Sequence, residues 1–179
     1  VNSENRAVFN GEARLLANGM DVRFKNAFVR ILDETWQVAN TNVLTLLGNS
    51  MSLSNMEFQN KKQSVALAGR YAWADSSSNL LLDVRNLRLA SLSPLFQTKL
   101  EGIMDGTARL QTLSGQQTVT SALRVEGLGY NGYELGNLTA KSVWEPLFNH
   151  IIVDADMEKN AREFFSLRGF YYLQDPEKA

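Results

Sequence analysis

Strict alternation of apolar and polar residues constrains this sequence more than any other feature. In the stretch T-V-T-S-A-L-R-V-E-G at 118–127, one side carries Val119, Ser121, Leu123 and Val125. Because successive side chains of a strand point to opposite faces, this pattern predicts a β-strand with one apolar face. The same pattern recurs along the chain, where an aliphatic residue precedes a glycine by two positions at Leu67, Leu100 and Leu167.

Repetition of this pattern predicts an all-β fold. Roughly ten to eleven strands of about 6 to 11 residues follow one another. The links between them are too short for the crossovers that parallel strands need. Asn-Gly pairs at 18–19 and 131–132 are candidates for two-residue hairpin turns. We therefore expect an antiparallel β-meander.

Two kinds of irregularity interrupt the alternation. Its phase slips near Asn26, as a β-bulge would cause, and it changes again after Asn86. The leucines between 89 and 95 follow helical spacing, and Pro94 cannot donate within a ladder. We therefore expect one short helical excursion near residues 90–96.

The composition excludes several classes of protein. The chain has 179 residues, of which 44% are hydrophobic and 21% charged, and its net charge is -1. This charge supplies no field that would attract nucleic acid. The absence of cysteine excludes thiolate catalysis, disulfides and cysteine metal sites. No apolar run approaches the roughly 20 residues of a membrane helix, and no leader resembles a signal peptide.

The chain begins at Val1 without a methionine, and we expect it to be one domain, residues 1–179, excised from a longer protein.

Residues that could carry catalysis are sparse. His150 is the only histidine and has no serine, cysteine or acidic partner at a recognisable motif spacing, so we assign it no role. Asp154, Asp156 and Glu158 share one face, where a calcium site or an acid–base pair is conceivable. A solvated outer face explains these carboxylates more simply. We expect no enzyme activity, no cofactor and no metal.

The apolar face leaves two architectures open. It can be the core of a closed sandwich or barrel, or it can line an open groove. Large inward residues alternate with small ones such as Gly69, Gly102, Gly106, Ser121 and Gly169. A well-packed core tolerates few gaps, whereas a groove for acyl chains would use them.

Three segments carry a family resemblance: L-L-L-D-V-R-N-L-R-L-A-S-L-S-P-L at 80–95, K-L-E-G at 99–102 and Y-N-G-Y-E-L-G-N-L-T-A-K-S-V-W at 130–144. With them the chain resembles, over roughly residues 36–173, the C-terminal conserved domain of the TamB family, the large periplasmic subunits of the translocation and assembly module. That family belongs to the AsmA-like, repeating β-groove proteins.

The resemblance implies an elongated, curved sheet, the β-taco, whose concave face is apolar. It implies a periplasmic protein of Gram-negative bacteria, anchored in the inner membrane outside this chain and contacting an Omp85-class outer-membrane barrel. The implied function is phospholipid transfer between the two membranes, with a role in outer-membrane protein assembly. The implied ligands are phospholipid acyl chains, and no catalytic residue is implied.

We predict that the groove is lined by Val65, Leu67, Leu80, Leu82, Val84, Leu100, Met104, Leu110, Val119, Leu123, Val125, Leu138, Val153 and Leu167. Two other functions remain open. One is a structural or adhesive β-module of a secreted protein. The other is a chaperone whose sheet edges pair with nascent outer-membrane strands.

Overall fold

The described part of the chain folds into one antiparallel sheet of twelve strands. The structure is a computed structural model that describes residues 6–31, 34–73, 77–93, 98–113, 115–160 and 162–172. The strands are β1 (Arg6–Leu16), β2 (Gly19–Ile31), β3 (Glu34–Val38), β4 (Val43–Leu47), β5 (Ser50–Asn60), β6 (Gln63–Ala72), β7 (Asn79–Arg88), β8 (Leu100–Leu113), β9 (Gln116–Tyr130), β10 (Tyr133–Glu145), β11 (His150–Lys159) and β12 (Arg162–Tyr172).

The predicted antiparallel meander is confirmed. Strands follow in chain order across the sheet, except that β3 and β4 both lie between β2 and β5. Residues 28–31 of β2 pair with β3, and residues 19–22 of β2 pair with β4. These two short strands are therefore halves of one composite strand, and twelve strands occupy eleven positions in the sheet.

Asn42 bridges the break in this composite strand. Its side chain is fully buried, at 0% exposure. The Phe24 N–H donates to Asn42 Oδ1 at 2.8 Å, and Asn42 Nδ2 donates to the Phe24 carbonyl at 2.8 Å. Nδ2 also donates to the carbonyl of Ala39. One amide side chain thus replaces the backbone partner that β2 lacks at this point.

Bulges keep the apolar residues on one face. Asn26, Asn55 and Asn86 have φ near +50°, and each lies where its strand places two residues opposite one. An extra residue shifts the alternation by one position. Apolar residues on both sides of each asparagine therefore point the same way, as Val84 and Leu87 do. The shifts in alternation predicted at Asn26 and Asn86 are confirmed. The bulge at Asn55 was not predicted.

One of the two predicted Asn-Gly turns is displaced. Asn131 and Gly132 form a turn with φ of 51° and 84°, as tight hairpins require. In the first hairpin Leu16 pairs with Gly19, so the turn comprises Ala17 and Asn18, one residue earlier than predicted. The predicted helical excursion is a single 3-10 turn, Leu89–Leu92, and residues 94–97 lie outside the described part of the chain.

The apolar face is concave in the first half of the sheet. Trp36 of β3 packs in one buried cluster with Val84 and Leu87 of β7. Two strands separate β3 from β7, so the two strands would be about 14 Å apart in a flat sheet. Side chains so far apart can meet only on a face that curves inward. Among the described residues the sheet is nevertheless open, because the strand order runs from β1 to β12 without pairing these two edges.

Candidate functional site

The apolar face of β7 to β12 contains four rows of cross-strand neighbours that run perpendicular to the strands. Two rows carry large side chains, and we call them walls: Leu80, Leu110, Val119, Trp144, Ile151 and Tyr171; and Leu87, Met104, Val125, Leu138, Met157 and Phe165. The two rows between them form the floor: Leu82, Ala108, Ser121, Ser142, Val153 and Gly169; and Val84, Gly106, Leu123, Ala140, Ala155 and Leu167.

Small side chains on the floor make a trough between the walls. From β8 to β11 the floor contains alanine, glycine and serine, with Leu123 and Val153 as the larger exceptions. The walls have no glycine, alanine or serine in the same strands. The trough therefore runs across the strands and ends at β12, where Gly169 has open space above its Cα.

The solvent exposure of alanines on the two faces can be compared directly. Ala122 of β9 points to the opposite face and is exposed, whereas Ala108 and Ala140 on the floor are half-buried and Ala155 is only 8% exposed. The same side chain is thus more sheltered on the floor than on the opposite face, as the walls of a trough would cause.

Charge is segregated to the opposite, polar face. The four rows contain no charged residue. On the polar face Lys141 lies opposite Asp154, and Arg168 approaches the Asp154 carboxylate at 3.3 Å. The floor has one polar feature, which we call the hydroxyl pair: the Oγ atoms of Ser121 and Ser142 are hydrogen-bonded at 2.8 Å. An aliphatic ligand could lie on this floor without burying a charge.

The residues predicted to line a groove all lie on the apolar face. Val65 and Leu67 of β6 pair with Val84 and Leu82, and Leu100 begins β8 on the same side as Met104. Val84 and Val125 are buried at 9% and 3% exposure, so neighbouring side chains already cover them. The other predicted residues are half-buried, except Leu167, which is 47% exposed at the sheet edge.

The interpretation of inward glycines as gaps for a ligand fails at Gly69 and Gly106. Gly69 has φ of +120°, and a Cβ there would collide with the Asn79 carbonyl oxygen. A Cβ on Gly106 would lie 2.9 Å from the Ala122 carbonyl oxygen. These glycines allow neighbouring backbones to approach closely. Space for a ligand comes instead from the alignment of small residues in adjacent rows.

A partly open apolar pocket at the β7 end was not predicted. We call it the Trp36 pocket; its volume is about 250 Å³, and it is lined by Val29, Ile31, Glu34, Trp36, Phe58, Val65, Leu87, Ser91 and Leu92. The 3-10 turn brings Leu92 against the cluster that contains Trp36 and Leu87. Local alternation could not reveal this pocket, because it joins residues more than fifty positions apart.

Glu34 holds the 3-10 turn against β3 at the rim of this pocket. Ser91 Oγ donates to Glu34 Oε2 at 2.7 Å, and Arg88 forms an ion pair with Oε1. Burial raises the pKa of Glu34, but the Ser91 hydrogen bond, the Arg88 charge and the hydrogen bonds with Gln63 and Arg88 together outweigh it. The pKa of Glu34 is therefore lowered, and ionised Glu34 stabilises the fold.

Replacing Glu34 with glutamine is expected to lower the free energy of unfolding at neutral pH by about 1 kcal/mol. A lowered pKa contributes stability above the ordinary value of 4.5, and this contribution is lost as the pH falls through the lowered folded value. The difference between wild type and variant should thus disappear in acid. Urea unfolding across pH measures it. As a control, Glu101→Gln removes the exposed ion pair with Lys99 and should leave the free energy of unfolding unchanged. A difference between wild type and Glu34→Gln that does not vary with pH would contradict the stabilising role of ionised Glu34.

The remaining candidate groups have structural partners. His150 is buried beneath Phe148, whose ring stacks on it at 5.5 Å, and it also contacts Phe170 and Tyr172. Asp156 accepts a hydrogen bond from Ser166 at 2.7 Å. Within the described ranges, no group of three or more histidine or acidic side chains could hold a metal ion.

These features define a single-layer antiparallel β-protein with one polar face and one apolar face that forms a trough. Among the described residues no helix has the length and apolarity needed to cross a membrane. No family model, curated protein or solved structure matches the chain.

Proposed function

We propose that the trough carries acyl chains of phospholipids and that the chain is a segment of a lipid-transfer protein. The observation that supports this most is the sorting of side chains into two walls and a small-residue floor without a charge. The apolar face of β8 to β12 has no second sheet over it in the described part of the chain, since all twelve strands belong to one sheet. An acyl chain would supply the missing cover.

The energetics favour a ligand of this kind. Burying apolar surface contributes about 25 cal/mol per Å², or roughly 0.8 kcal/mol for each methylene. Both walls present a large apolar side chain on every strand, so a chain that moves along the floor keeps apolar contacts at each step. Such a trough suits a ligand that slides.

The wider context is also a proposal. By its resemblance to the TamB family, the segment would belong to a periplasmic protein that links the inner membrane to an Omp85-class barrel in the outer membrane. Repetition of the trough in flanking segments would extend the path for lipid between the two membranes.

Photocrosslinking tests the proposed trough at adjacent residues. A photoreactive amino acid at Ala140 would lie on the floor of the trough, whereas one at Thr139 would lie on the polar face. In cells fed a clickable fatty acid, the Ala140 position should capture labelled lipid and the Thr139 position should not. Equal capture at both positions, or capture at Thr139 alone, would contradict the proposal.

Pairing of edge strands with client β-strands is the second candidate. It is favoured by β12, which pairs with β11 on one side only in the described part of the chain. Phe164 and Phe170 of this strand are 56% and 55% exposed. An unprotected edge of this kind is a template for another strand. A photoreactive residue at Phe164 would then trap an outer-membrane protein, whereas one at Ala140 would not.

A further inference from the structure

One floor row lies in register with the lining of the Trp36 pocket, beyond Val84, which neighbouring side chains cover. The floor row that contains Leu123 reaches Val84 on β7 and continues as Val65 on β6 and Phe58 on β5. Val65 and Phe58 line the pocket. At its far side the pocket is bounded by Trp36 and by Leu92 of the 3-10 turn. The trough thus runs from the β12 edge towards the Trp36 pocket, where Trp36 and Leu92 bound it.

We propose that the Trp36 pocket receives the methyl end of one acyl chain, whose polar end lies at the hydroxyl pair. This inference rests on the proposed function and adds a direction and a fixed end to it. A single-chain amphiphile, such as a fatty acid, would therefore bind in one orientation.

The chemistry of the pocket suits a methyl end and not a headgroup. Its lining is apolar except for Glu34 and Ser91 at the rim. Both are already engaged, since Ser91 donates to Glu34 and Arg88 neutralises its charge. A cavity of about 150 Å³ lined by aliphatic and aromatic groups binds benzene. At about 250 Å³, the Trp36 pocket has room for several methylene groups.

The hydroxyl pair is the polar counterpart further along the floor. The bond between Ser121 and Ser142 uses one hydroxyl proton and leaves the other available to an acceptor such as a carboxylate or ester oxygen. Three strand spacings separate β7 from β10, a distance of about 14 Å. An extended acyl chain can bridge it along the floor.

Two tryptophans lie near the proposed positions of the two ends of the bound acyl chain, and their fluorescence can report on each end. Trp36 lines the pocket, and Trp144 lies two residues beyond Ser142 in the adjacent wall. The third, Trp73, is 59% exposed and can be replaced by phenylalanine. Combining Trp73→Phe with either Trp144→Phe or Trp36→Phe leaves one reporter in each variant.

The experiment titrates each variant with a long-chain fatty acid brominated either at its terminal carbons or beside its carboxyl group, since bromine quenches tryptophan on contact. Terminal bromine should quench most of the Trp36 emission and little of the Trp144 emission. Carboxyl-side bromine should do the reverse. Equal quenching of both reporters, or the opposite pattern, would overturn the proposed orientation.

Native mass spectrometry of the same samples separates this inference from the proposed function. Bound fatty acid without quenching of Trp36 overturns the pocket assignment and leaves the trough intact. Absence of bound fatty acid overturns both. If Trp36→Phe does not fold, a fatty acid with a terminal diazirine is crosslinked to the wild-type chain. Crosslinks should map to peptides containing Phe58, Val65 or Leu87; crosslinks confined to β9–β12 would reject the pocket.

Discussion

Replacing Leu123 with aspartate is expected to abolish acyl-chain capture while the chain stays folded. Leu123 is the large side chain at the centre of the floor, between Gly106 of β8 and Ala140 of β10. Aspartate removes apolar contact worth about 2 kcal/mol and adds a charge that a bound chain would desolvate. Since each 1.4 kcal/mol is tenfold in affinity, we expect a loss of at least roughly a hundred-fold.

The matched control places the same charge on the other face. Ala122 precedes Leu123, is exposed, and lies opposite Lys141, which can pair with an introduced aspartate. Ala122→Asp should therefore keep full capture of a radiolabelled fatty acid. Leu82→Arg, at the β7 end of the floor, should behave like Leu123→Asp. A folded Leu123→Asp variant that captures fatty acid as wild type does would contradict the floor assignment.

Replacing Asn42 with alanine is expected to produce the largest loss of stability, about 3 kcal/mol, because each buried polar group left without a partner costs about 1–3 kcal/mol. The substitution leaves the N–H and the carbonyl of Phe24 without their partner, whereas the carbonyl of Ala39 keeps the backbone N–H of residue 42. Urea unfolding followed by tryptophan fluorescence measures the change.

Two further variants sharpen this test. Asn42→Asp keeps the acceptor for the Phe24 N–H but buries a carboxylate against two carbonyls. Its destabilisation should increase as the pH rises, because burial disfavours the charged form. Asn40→Ala is the control, since Asn40 is exposed and accepts only a long bond of 3.4 Å from Asn26. An Asn42→Ala variant as stable as Asn40→Ala would show that the bridge contributes little.

Alternation in the sequence was sufficient to predict the all-β meander and the face of each groove residue. The reason is that the two-residue period of a strand is local. The face to which Val119, Leu123 and Val125 point therefore follows from the adjacent sequence alone. Slips in the alternation at Asn26 and Asn86 also marked two bulges, because an extra residue shifts the side-chain pattern by one position.

The wall and floor rows and the Trp36 pocket could not be predicted from local alternation. Whether Ala108 lies beside Ser121 depends on strand register, which hairpin turns and bulges set together. An error of one residue, as in the first turn at Ala17 and Asn18, moves every cross-strand neighbour. The contact between Trp36 and Leu87 depends further on the curvature of the whole sheet. The composite strand at Asn42 had no local signal at all.

Mass spectrometry of lipids extracted from the purified chain tests the central claim most directly. If the trough holds acyl chains, lipid should accompany the wild-type chain and the Ala122→Asp variant through gel filtration at a constant ratio, and it should be missing from Leu123→Asp. Wild-type chain that carries no more acyl lipid than an unrelated β-protein purified from the same cells would contradict the claim.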